Sequence, residues 1–155
     1  MNVRIVCVGK LKERYWLDAM AEYTKRLSRF CRFSVVELAE SKNTSRAPAD
    51  IEKAKEEEGN RILEALRGRV VILDLGGKEC TSPELAAHVQ SAFDRGEELT
   101  FVIGGSDGLS SAVLARANLT LRFGRITFPH QLMRVVLTEQ IYRAFCINNN
   151  VPYHK

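Results

Sequence analysis

Three short runs that are apolar at almost every position constrain this chain more than any other feature. They are Val3 to Val8, Leu99 to Ile103, and Val70 to Leu75, the last interrupted only by Asp74. A strand with one face in water alternates polar and apolar residues, so a run without alternation predicts a strand covered on both faces. Helical patterns separate these runs. One spans about Glu13 to Phe30, with Trp16, Met20, Tyr23 and Leu27 on one stripe; another spans Ile51 to Leu66, with Asp50 as its cap and a long charged face. Thr81-Ser82-Pro83-Glu84 joins a capping-box spacing to an early proline and starts a helix that runs to about Asp94. Phe33 to Leu38 and Leu119 to Leu121 read as further strands, Ser110 to Ala117 as a short helix, and Gln131 to Ile147 as the last helix. Gly76-Gly77 is expected to end the third strand, and Ser41 to Pro48 is a polar loop. The order predicts one α/β domain over residues 1–155 around a largely parallel sheet.

The last helix departs from the usual single stripe. Leu132, Met133, Val135, Val136, Leu137, Ile141, Tyr142, Phe145, Cys146 and Ile147 surround much of its circumference. A helix lying on one sheet face needs one apolar stripe. This one therefore calls for cover on a second side, from a second subunit or from the chain's own loops.

With a formal charge of +4 and a pI near 9.0, the chain admits an anionic partner. No window approaches the roughly 20 apolar residues of a membrane helix, and no secretory signal opens the chain. Cys7, Cys31, Cys80 and Cys146 form no C-x-x-C pair, and His88, His130 and His154 complete no metal spacing. The sequence reads as reduced, cytoplasmic and metal-free.

Ligands of open α/β sheets bind beyond the carboxyl ends of the strands. Three segments end there with glycines or irregular composition: Leu73 to Gly77, Ile103 to Gly108, and Phe123 to Pro129. Gly9-Lys10 and Gly77-Lys78 lack the spacing of a phosphate-binding loop, no G-x-G-x-x-G follows the first strand, and Gly104-Gly105-Ser106-Asp107-Gly108 is out of register for a nucleophile elbow. Ordinary nucleotide binding and serine hydrolysis lose ground accordingly.

Phe101-Val102-Ile103-Gly104-Gly105-Ser106-Asp107-Gly108-Leu109 resembles the glycine loop of the RlmH family of SPOUT-class methyltransferases. Ile126-Thr127-Phe128-Pro129-His130-Gln131-Leu132-Met133-Arg134-Val135 resembles that family's knot segment, which Glu139-Gln140-Ile141-Tyr142-Arg143-Ala144 continues. Pro152-Tyr153-His154 is similar to its ending, and Val8-Gly9-Lys10 and Leu73-Asp74 also fit, so the likeness runs the whole length. It implies a SPOUT fold with a C-terminal trefoil knot, and methylation of N3 of a pseudouridine in 23S ribosomal RNA. It also implies S-adenosyl-L-methionine as cofactor, held by Leu73, Gly104 and the run Phe123, Gly124, Arg125, Ile126, Thr127 and Phe128.

The same resemblance implies a homodimer that meets the 23S rRNA as free RNA, large subunit or ribosome. His154 is the candidate proton acceptor, with Tyr153 placing or stacking on the base; His130 is expected to have a structural hydrogen-bonding role. Arg134, Arg143 and Lys10 are candidate RNA contacts, the two arginines being equally open to ion pairing, for example with Glu139, and Lys12 and Arg14 extend the Lys10 patch. Two other readings remain open from sequence: a SPOUT enzyme with a different RNA target, and a ribosome-associated RNA-binding module without activity.

Overall fold

Successive residues of the apolar runs enter two different cores, one on each side of a single sheet. In the computed structural model, which describes residues 1–155, the sheet has five strands: β1 (Asn2–Val8), β2 (Arg32–Leu38), β3 (Arg69–Glu79), β4 (Leu99–Ile103) and β5 (Leu119–Arg122). All neighbours are parallel, in the order β2-β1-β4-β3-β5. Helices α1 (Arg14–Leu27), α3 (Ser82–Asp94) and α5 (His130–Asn148) cover one face; α2 (Pro48–Ala65) and the short α4 (Ser111–Leu114) cover the other. Val3, Ile5, Cys7, Val71 and Phe101 pack with Leu27, Leu85, Val89, Leu137 and Ile141 on the first side. Val6, Val8, Val70, Ile72 and Val102 pack with Ile62, Leu66 and Val113 on the second. Burial of each such Val, Leu or Ile is worth roughly 1.5–3 kcal/mol, so the unalternating runs dictate the three layers.

Local signals behave as their chemistry requires in most places. At α3 the capping box forms: the Glu84 amide donates to Thr81 Oγ1 at 3.3 Å, and the Thr81 amide donates to Glu84 Oε2 at 2.7 Å. Asp50, expected to cap α2, instead lies in its first turn; the helix begins at Pro48 after Ala47, because a proline with fixed φ starts a helix without needing its missing N–H.

Nor does β3 end at Gly76-Gly77, as its composition suggested. Leu73 pairs with Leu121, the residues after it bulge, and Lys78 then returns to the same Leu121. A Cβ on Gly77 would fall 2.6 Å from the Leu121 carbonyl carbon, so only glycine lets the strand come back against β5.

Much of the cover for α5 comes from the chain itself. Tyr142 meets Tyr23 and Phe30, Phe30 stacks on Phe145 at 5.7 Å, and Asn148 donates to the Ala86 carbonyl at 2.9 Å. α1 and α3 therefore flank it on two sides. Leu132, Val135 and Val136 stay half-exposed along the remaining face.

Candidate active site

Because β4, β3 and β5 are adjacent and parallel, their carboxyl ends lie side by side. This brings Leu73, Ile103 and Leu121 to one rim, although they are distant in sequence. A cavity of about 540 Å³ opens there, walled by the β3 end, the glycine loop Gly104 to Leu109, and the segment Arg122 to His130, with Met133 of α5 at its back. Leu73, Gly104, Phe123, Gly124, Ile126, Thr127 and Phe128 all line it. Arg125 does not. Its side chain is 86% exposed, with its Nε 3.9 Å from Glu79, so it points away from the cavity it was expected to line.

At the mouth, Leu75 and Ile126 are 61% and 72% exposed, an apolar pair that water solvates poorly. Gly104 closes the floor: a Cβ there would lie 2.9 Å from the Leu109 side chain. Of the cationic side chains only Arg122 lines the cavity, and it is paired with Glu79 at 3.2 Å. The lining carboxylates are Asp74, which accepts the Gly76 amide at 2.9 Å, and Asp107, held by both terminal nitrogens of Arg46 at 2.9 and 3.3 Å. The lining is therefore mostly apolar, with backbone amides of the glycine loop, two carboxylates and one arginine that is already paired.

Arg134, a candidate for RNA phosphate, is 1% exposed. Its guanidinium donates to the carbonyls of Val8 at 2.8 Å and Gly9 at 2.9 Å, and to Glu37 at 2.9 Å; Glu37 also accepts the Leu11 amide at 2.8 Å. It clamps α5 to the ends of β1 and β2 and has no surface left for phosphate. Of the two readings left open from sequence, phosphate contact or ion pair, the ion pair holds, but its partner Glu37 lies 97 positions away and the two carbonyls 125 and 126, beyond any local pattern.

Lys10 is exposed on the wall of a second cleft, with Lys12, Glu13, Glu37 and Glu40. Arg14 is drawn to Asp18 at 3.2 Å. The second cleft adjoins the cavity at His130, which lines both. His130 makes no hydrogen bond of the structural kind expected of it. Burial, then the nearby Arg134, hold its pKa below the ordinary value, partly offset by Glu40.

Tyr153 and His154 lie elsewhere in the chain. The tail folds back on α5: the Tyr153 hydroxyl donates to Glu139 at 2.9 Å, and its ring meets Tyr142 at 4.8 Å. Glu139 is roughly 13 Å farther along α5 than His130, at 1.5 Å per residue. Arg143 spends its Nε and Nη2 on Glu139 and sets its Nη1 3.2 Å from His154 Nδ1. A guanidinium only donates, so in this contact His154 accepts at Nδ1, which leaves Nε2 to carry the ring proton. Burial, then Glu139, push the Tyr153 phenol up to about 12, so it keeps its proton.

A parallel sheet with a ligand cavity at three adjacent strand ends, closed by the chain that leads into the last helix, is the layout of one methyltransferase class. The chain belongs to the SPOUT methyltransferase family, whose model, described as "Predicted SPOUT methyltransferase", matches residues 1–154. It is 51% identical, over the full length of both chains, to ribosomal RNA large subunit methyltransferase H of Lactobacillus delbrueckii subsp. bulgaricus, and 50% identical, again over both full lengths, to that of Lactiplantibacillus plantarum. The resemblance to the RlmH family read from the motifs therefore holds. Among solved structures, tRNA (m1G37) methyltransferase from Aquifex aeolicus superposes with a TM-score of 0.55 at 11% identity, over 92% of this chain and 70% of that one, a likeness of fold.

Proposed function

We propose that this chain transfers a methyl group from S-adenosyl-L-methionine to N3 of a pseudouridine in 23S ribosomal RNA. We take it to work in the cytoplasm as a homodimer on the large subunit or ribosome. What carries the reading is the cavity itself: seven of the eight residues expected to hold the donor converge on it from three separate segments. The family relationship supplies the methyl-transfer chemistry and, through the relatives' name, the large-subunit RNA. No helix is long and apolar enough to cross a membrane, and no group of three His, Cys, Asp or Glu side chains is placed to hold a metal ion.

When bound, S-adenosylmethionine supplies a sulfonium methyl group. Leu73, Ile126 and Phe128 offer apolar walls for its adenine, the amides of Gly104 and its neighbours offer hydrogen bonds, and Asp74 and Asp107 offer negative charge near the cation. The trefoil knot that the family implies would be formed by the segment from Phe123 into α5; that segment forms one cavity wall.

The tail enters through the dimer. Within one chain Tyr153 and His154 do not line the cavity, whereas Leu132, Val135 and Val136 leave an apolar face on α5 free for a second copy. Across that face, the tail of one protomer is assigned to the cavity of the other. There Tyr153 stacks on the base and the Nε2–H of His154 donates to a base carbonyl. Arg143 orients that imidazole, and Lys10 takes phosphate.

Mass spectrometry of 23S rRNA from cells with and without the gene tests the reading. Loss of one methyl from one pseudouridine, restored by the purified protein and S-adenosylmethionine, is the expected result. An unchanged modification pattern would overturn it.

A further inference from the structure

Four ionisable side chains line the donor cavity: Asp74, Asp107, Arg122 and His130. Three are engaged, Asp74 by the Gly76 amide, Asp107 by Arg46 and Arg122 by Glu79. His130 alone has both ring nitrogens free of hydrogen bonds to the protein, at the seam between the donor cavity and the Lys10 cleft. RNA seated with a phosphate on Lys10 would carry its base past this imidazole before reaching the donor.

We infer that His130 is the group that accepts the N3 proton of the target base. The inference rests on the methyl-transfer reading above. As the N3–methyl bond forms and the sulfonium–methyl bond breaks, with that electron pair leaving on sulfur, the N3–H proton passes to a ring nitrogen of His130. The positive charge of the sulfonium becomes that of an imidazolium, so charge balances. The other groups are already committed in this chain: His154 Nδ1 accepts from Arg143, Tyr153 holds its proton, and Asp74 and Asp107 are each held by an N–H donor.

The surroundings suit the role. His130 faces Arg134 on its own helix, Glu40 beyond β2, Glu37 on β2 (tied to Arg134), and Lys10, Lys12 and Glu13 beyond β1. Burial and Arg134 keep the ring neutral and able to take a proton near pH 7. Once protonated, it is destabilised by the same neighbours and releases the proton to solvent through the Lys10 cleft.

The test uses the full-length protein on large ribosomal subunits lacking the methyl group. His130→Gln and His130→Ala are each expected to slow single-turnover transfer by about 100-fold, within the range of general-base contributions. Donor affinity by calorimetry should stay within about twofold, and added imidazole should partly restore the alanine variant. The wild-type rate should rise with pH on the acid side and level off below the ordinary histidine value, a limb that both variants lose. Independently of activity, NMR titration of the His130 ring in the free protein should give a midpoint below about 6.5. Unchanged rates and pH profiles overturn the inference, as does a ring that titrates above neutrality. So does a loss of donor affinity that matches the loss of rate without imidazole rescue, which would make His130 a wall residue only. A wild-type protein unable to methylate the subunits would instead bring down the underlying reading, and this inference with it.

Discussion

Replacing Arg134 with methionine separates a fold clamp from an RNA contact. Methionine fills much of the stem's volume but removes three charge-assisted hydrogen bonds, leaving the Val8 and Gly9 carbonyls without their donor. Each buried acceptor left unpaired costs about 1–3 kcal/mol. Glu37 is 31% exposed, so water recovers most of its share and the ion pair adds little. Against this, the variant no longer buries a guanidinium whose Nε has no partner. The balance is a loss of roughly 3 kcal/mol. For a chain of this size that lowers Tm by about 6–12 °C. Guanidinium chloride unfolding at fixed protein concentration measures it, with the midpoint falling and the slope unchanged. RNA binding of the variant, measured well below its Tm, should keep the wild-type salt dependence, because no phosphate contact is lost. A stability loss under about 1 kcal/mol, or a salt slope reduced by about one, would refute the clamp.

Gly104→Val should drive Leu109 into the cavity and cut donor affinity more than about 100-fold by calorimetry, with a near-wild-type circular dichroism spectrum. Lys10→Glu should weaken binding to large subunits and lower the salt slope by about one while sparing donor affinity. Thr81→Ala should cost roughly 1 kcal/mol by removing the α3 cap. The bonds from Thr81 hold the Glu84 carboxyl below its ordinary value, so its contribution is present above the unfolded carboxylate range and fades as pH falls through the lowered value. Unfolding curves near pH 7 and near pH 3 should therefore bring wild type and Thr81→Ala closer together at the acid end.

The sequence left several points undecided at α5. Its apolar circumference was legible, but whether α1, α3 or a second copy covers each side depends on how the helices pack over the sheet. The segments that wall the cavity were visible as glycines and irregular strand ends, yet the outward turn of Arg125 was not, because one residue in a loop can face either way. His130 looked like a helix-start histidine with a structural bond. Only the meeting of two cavities on it, with no partner in reach, changes its meaning.

By itself the sequence determined the three layers, the parallel sheet and the cap of α3, since apolar periodicity and capping depend on residues close along the chain. The tertiary structure alone decided that Arg134 is buried and that β3 returns to β5 through Gly77. Each of these hangs on an acceptor or a backbone atom far away in sequence. Their positions follow from strand order and helix packing, which no local pattern encodes.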